Sequence, residues 1–254
     1  MKYKTNANHI AGIYNYCDRW CERCIFTSRC AVYENTSNLS AEQNDINNKA
    51  FWENLSSCFA GALEMLQEAA EKHGIEIKPL TETELAAYKK EEKLKRIKIE
   101  AHPLIKIAKQ YYEQASKLLE QKELLQADGQ AILQMVELGI KPIKEAEKEV
   151  NELQNCFEIV QWYLFQIYVK FMRAMPEKQS ELKDETFKSD SDGSAKVALI
   201  AIDRCIMAWQ IIMHHLPKAQ DEIIGLLALL QKMLRLGENT FPDARKFKRI
   251  AFDD

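Results

Sequence analysis

The residues in this chain whose types and spacing could do chemistry are Cys17, Cys21, Cys24 and Cys30. They are four of its seven cysteines and run C-x3-C-x2-C-x5-C within fourteen residues. Clustered thiols of this kind point to metal or redox chemistry. A 4Fe–4S cluster takes four thiolates converging on one small body, which a compact run can supply. Zinc also accepts four thiolates, but its structural sites usually draw on two separated C-x2-C knuckles, and only Cys21 and Cys24 form one here. The spacing therefore favours a 4Fe–4S cluster, with one Zn2+ as the alternative and free thiols or redox pairing as the third reading. Arg19, Arg23 and Arg29 interleave with the cysteines. They could offset the negative charge of a tetrathiolate site, or could simply face solvent. The aromatic residues Tyr3, Tyr14, Tyr16, Trp20, Phe26 and Tyr33 crowd the same stretch and would wall such a site from water.

The rest of the chain must position that loop, and its composition limits how. With 254 residues, 46% hydrophobic and 29% charged, the chain can bury a core without covalent staples. Only 8 Gly and 6 Pro leave little material for the turns of a many-stranded β fold. A net charge of −3 gives no nucleic-acid or anionic-membrane signal. The first ten residues lack the apolar core of a signal peptide. Val197–Ile202 and Ile223–Leu230, the longest nearly apolar runs, fall well short of the roughly 20 residues that span a bilayer. The expectation is a cytoplasmic protein without a membrane segment, in a compartment where thiols stay reduced.

Helical patterning fills the remaining length. Ser40 to Gln43 reads as a capping box opening a helix near Ala41, with Trp52, Leu55, Phe59, Ala62, Leu66 and Ala69 as one buried face and Gly74 as its end. A second capping box, Thr81 to Glu84, opens a charged helix that His102-Pro103 should break. Leu104, Ala108, Tyr111, Ala115, Leu118 and Leu125 form the next stripe, before a turn at Asp128-Gly129. From Pro142 to Met175 apolar residues recur three and four apart from Ile143 to Phe171, a central helix. Residues 176–194 read as a mobile linker. Ala195–Leu216 is a further buried helix that Pro217 stops, and the last helix ends at Gly237. The expected fold is all-α: a bundle of five to seven helices over 39–236, with a cysteine-rich metal-binding loop over 1–38 and a tail over 237–254.

Two resemblances attach to the cysteine run. Cys21-Glu-Arg-Cys24-Ile-Phe-Thr-Ser-Arg-Cys30 is similar to the C-x2-C-x5-C run that ends the cluster loop of helix-hairpin-helix DNA glycosylases, and to that of the WhiB-like iron–sulfur regulators. In both families these three cysteines bind a 4Fe–4S cluster with a fourth ligand further upstream. The resemblance thus implies cluster binding by Cys21, Cys24 and Cys30, with Cys17 closer than either family places its first ligand. It covers about 14 of 254 residues, and neither a hairpin Gly motif nor a catalytic Asp pattern accompanies it. The phrase from Asn15 to Cys24 also resembles a group of uncharacterised bacterial proteins. Cys17-x3-Cys21-x2-Cys24 has radical-SAM spacing, but Arg23 stands where that family usually has an aromatic residue, and strand–helix alternation is missing.

Other chemistry finds less support. No His has Glu three residues before it, which removes the di-iron carboxylate pattern. Glu158, Asp203, Arg204 and His214 fall on the two most apolar helices, where a buried Glu158–Arg204 pair or a pocket would satisfy them. A structural ion pair or a solvent-facing seam is the simpler reading. Cys58, Cys156 and Cys205 read as small core residues, and the basic run Lys89 to Lys98 as a solvated face. The sequence identifies no reaction. It predicts a metal-binding helical protein with a redox or electron-transfer role and an unidentified protein partner; nucleic acid is disfavoured. The alternative is a structural zinc knuckle on a helical protein-interaction scaffold.

Overall fold

The computed structural model describes residues 7–121, 130, 132–178 and 185–253, and of residues 176–178 and 185–189 the backbone alone. Tyr3, Leu125 and the Asp128-Gly129 turn lie outside the described residues. Every element among the described residues is helical, with no strand. The chain divides into two compact units, Met1–Glu92 and Lys93–Asp254.

In the first unit the loop carries 3₁₀ turns at Cys21–Arg23 and Thr27–Arg29, followed by α1 (Ala31–Ser37), α2 (Ala41–Asn44) and α3 (Lys49–Lys72). The Ser40–Gln43 capping box forms, but the helix it opens lasts one turn. The Asp45 carboxylate accepts the Asn47 backbone N–H at 2.9 Å, a local bond that competes with helix continuation. Asn48 then caps a new helix, accepting from Ala50 N–H at 3.0 Å. At the far end Gly74 takes φ +67°, and Ile75 N–H donates to Ala70 O at 2.8 Å, a left-handed glycine closure. The stripe expected to be the buried face of α3 is not buried. Trp52, Leu55, Phe59 and Leu66 are all exposed; among the described elements the chief packing partner of α3 is the single turn of α2.

The Thr81–Glu84 box opens α4 (Glu82–Ala101), with Thr81 N–H donating to Glu84 Oε2 at 2.8 Å. His102-Pro103 breaks the chain as expected. Pro103 occupies the first position of α5 (Pro103–Leu119), and His102 Nδ1 accepts from Leu104 N–H at 3.2 Å. Leu104, Ala108, Tyr111, Ala115 and Leu118 are buried.

The second unit is a four-helix bundle of α5, α6 (Ile143–Lys178), α7 (Glu185–His215) and α8 (Gln220–Thr240). α6 packs along α7, α7 on α8, α8 on α5 and α5 on α6, closing a ring. The core contains Val160, Tyr163, Ile167 and Phe171 of α6 and Leu199, Ile202, Trp209 and Ile212 of α7. Ile143 and Val150, at the start of the α6 stripe, remain exposed. By length and composition Asp190–His215 is the described helix that could cross a membrane, but half of its apolar stretch is buried within the protein, as befits a core helix.

Three boundaries differ from expectation. The stretch read as a linker over 176–194 is helical to Lys178 and again from Glu185. Its polar residues are used: Ser191 Oγ donates to Ala174 O at 2.9 Å, and Arg173 pairs with Asp190 at 2.7 Å, fastening α7 to α6. Gly237 does not end α8; it lies inside the helix, where an added Cβ would come within 3.0 Å of Leu199 and Phe171. The tail is part of the second unit. Phe241 and Ala244 are buried, Phe241 stacks on Phe171, and the two arginines are paired, Arg245 with Asp203 and Glu238 and Arg249 with Asp253.

Candidate metal centre

The cysteine loop is held by short local bonds and by one strap from the N-terminal segment. Ile10 N–H donates to Arg29 O at 3.0 Å, Arg29 Nε donates to Asn8 O at 3.3 Å, and His9 contacts Glu34 of α1 at 2.6 Å. Ile13 and Ala31 are buried beneath the loop. Between Cys17 and Cys21 the chain reverses through Arg19 at φ +59°, a left-handed conformation uncommon for a residue with a Cβ. Asp18 Oδ1 accepts from Trp20 N–H at 3.2 Å across this reversal. Cys24 N–H then donates to Cys21 O at 3.1 Å, closing the C-x2-C segment into its 3₁₀ turn. Cys30 N-caps α1 with extended backbone.

The four thiols form one electrostatic neighbourhood. Burial pushes the Cys21 thiol above its ordinary pKa, and negative charge on Cys17, Cys30, Glu22 and Cys24 pushes it further the same way. All four cysteines are half-buried residues and none is in a disulfide. Phe26 N–H donates to Cys24 Sγ at 3.4 Å, and Cys17 Sγ donates to Tyr14 O at 3.6 Å. An amide donating to a cysteine sulfur steadies a thiolate and tunes any metal it holds. The donor set is therefore right in type and neighbourhood for a cluster or for zinc. Among the described residues, however, no group of three or more His, Cys, Asp or Glu side chains closes on a single point as a ligand set.

The interleaved arginines have local roles. Arg23 stacks over the Trp20 ring at 3.9 Å, and Arg29 serves the Asn8 strap. Tyr14, Tyr16, Trp20 and Phe26 are half-buried around the thiols, whereas Ile25 projects from the loop at 84% exposure. Sequence reasoning missed three contributors: Glu22, which adds charge at Cys21; the Phe26 amide; and the His9–Glu34 contact. Glu22 could have been found from its place beside the thiol. The other two depend on how the backbone folds back.

Glu158 and Arg204 are both exposed, so the burial expected of them is not found. Glu158 accepts from Gln154 at 3.2 Å, while Arg204 donates to the Tyr163 hydroxyl and lies over its ring. Asp203 is bound to Arg245. His214 lines an open depression of about 430 Å³ with Glu152, Met207, Gln210, Ile211 and His215. Beside it Glu149 is held below the usual carboxylate range, chiefly by its bond to Lys141, and accepts from His215 at 3.1 Å. Cys156 and Cys205 are core residues as expected; Cys58 is exposed on α3 instead. No protein-family model, curated protein or solved structure matches the chain.

Proposed function

We propose that the N-terminal loop binds a 4Fe–4S cluster through Cys17, Cys21, Cys24 and Cys30, and that the chain is a cytoplasmic redox or electron-transfer protein that hands electrons to a protein partner. The observation that carries this reading is the common electrostatic neighbourhood of the four thiols about Cys21. A thiol whose proton affinity its neighbours raise, as at Cys21, is relieved when a cationic centre takes the place of its proton. The Phe26 amide lies on Cys24 Sγ, where such bonds adjust reduction potential. Bound there, the cluster would supply one-electron chemistry. The 3₁₀ knuckle of Cys21 and Cys24 favours a second reading, one structural zinc on an interaction scaffold.

Metal analysis and the ultraviolet–visible spectrum of protein purified without oxygen test the proposal. About four irons per chain, with broad visible absorbance lost in Cys24→Ser, is the expected result. One zinc and no colour selects the second reading. Neither metal, in protein purified without chelators, overturns both.

A further inference from the structure

The apolar face of α3 is exposed. Trp52, Leu55, Phe59, Ala62, Leu66 and Ala69 alternate three and four apart, the a and d positions of a heptad repeat sustained through the helix. Phe51, Ser56, Cys58, Leu63, Met65 and Ala70 flank that seam, so no charge falls on it between positions 51 and 70. The acidic residues Glu53, Glu64, Glu68 and Glu71 all lie at the outer positions. Within Met1–Glu92 the face is open: Trp52 is 52% exposed, Phe59 64%, Leu63 61%, Met65 65% and Leu66 61%. These side chains leave on the order of 500 Å² of apolar surface uncovered, as large as the biggest patch on an ordinary monomer. Two such faces brought together would remove about 1,000 Å² from water, the floor for a specific interface.

The order of large and small residues says what covers it. In an antiparallel pair an a position packs against a d position of the partner. About the midpoint of α3 (Lys49–Lys72) that register sets Trp52 against Ala69, Leu55 against Leu66 and Phe59 against Ala62. Every layer then holds one large with one small residue, or two of middle size, which fills space evenly. A parallel pair would stack Trp on Trp and Phe on Phe, and leave both alanine layers hollow. The flanking positions meet as Cys58 with Met65 and Phe51 with Lys72, so no like charges face each other. We propose that α3 is the two-fold interface of a homodimer, pairing antiparallel with α3 of a second copy.

Sedimentation of the full-length chain tests this. The expected mass is twice 29.4 kDa. Phe59→Glu should weaken dimerisation at least tenfold with helix content unchanged, because Phe59 packs on little within its own unit. Ala62→Phe adds apolar surface but overfills the Phe59 layers, and should weaken the dimer too; a strengthened dimer would reveal unspecific adhesion and overturn the proposal. Oxidation of Met65→Cys should trap a covalent dimer through native Cys58 that Cys58→Ser abolishes. The two positions on one helix are about 10 Å apart along the axis, too far to bridge internally. A monomeric wild-type chain, a dimer indifferent to Phe59→Glu, or trapping by Leu63→Cys in place of Met65→Cys would each overturn it.

Discussion

Trp209 donates its indole N–H to the hydroxyl of Tyr111 at 3.0 Å, a buried bond between residues 98 positions apart. It crosses the diagonal of the four-helix ring, joining α7 to α5. Both side chains are fully buried, so neither can turn to water if the other is removed. Tyr111→Phe leaves the indole N–H without its acceptor in the core. We expect a loss of about 1–3 kcal/mol, measured by urea unfolding, with no change in helix content below the transition.

Tyr111 is also hydrogen-bonded to Cys205, whose thiol burial pushes up to about 12. A thiol held protonated and enclosed is a poor nucleophile. Iodoacetamide at pH 8 should leave Cys205 and the buried Cys156 unmodified in native protein and label both in urea, read by peptide mass spectrometry. Labelling of Cys205 at the rate of a loop cysteine would contradict the packing.

The two glycines of α8 should respond in opposite senses. An added Cβ at Gly237 meets Leu199 and Phe171 at 3.0 Å, whereas at Gly225 it meets nothing within 4 Å. Gly237→Ala is expected to cost about 1–3 kcal/mol through overpacking. Gly225→Ala is expected to gain about 0.5–1 kcal/mol from helix propensity. Paired thermal melts decide both.

The tail clasp sets a pH dependence. Hydrogen bonds from Arg249, and then from Lys196, hold the Asp253 carboxyl well below the usual carboxylate range. A carboxyl whose pKa is depressed by folding adds stability that is complete above its unfolded pKa, about 4, and is lost as pH falls further. Stability measured from pH 6 to pH 2 should therefore decline on the acid side. Asp253→Asn should flatten part of that decline while lowering stability at pH 6 by about 1.5–3 kcal/mol.

Much of the helical skeleton was legible because its signals are local. Pro103, the Thr81–Glu84 box and the Gly74 closure act within one turn of the residues that spell them. Gly237 misled because a glycine near a helix end reads as a stop, and only the approach of Phe171 from α6 shows its use. The Ser191 and Asp190 region read as a linker because its polar residues find partners on α6, 17 residues back. The periodicity of α3 marked an apolar stripe, but the burial expected of it fails, because periodicity does not say what an element packs against. At the cysteine loop the spacing picked out the four thiols. The Phe26 amide, the left-handed Arg19 and the Asn8 strap follow from the backbone path, which no spacing encodes.

The fastening of Ser191 to Ala174 has a kinetic consequence. α6 and α7 are consecutive, antiparallel and joined at their near ends by this bond and by Arg173–Asp190. Contacts between them begin at short sequence separation and lengthen away from it, so the hairpin can zip progressively from one end. Loop closure is inexpensive for such local contacts, and domains dominated by them fold in microseconds to milliseconds. Trp209 and Tyr111 must wait for α5 to arrive from 98 residues away. Ser191→Ala should therefore slow refolding, whereas Tyr111→Phe should chiefly speed unfolding.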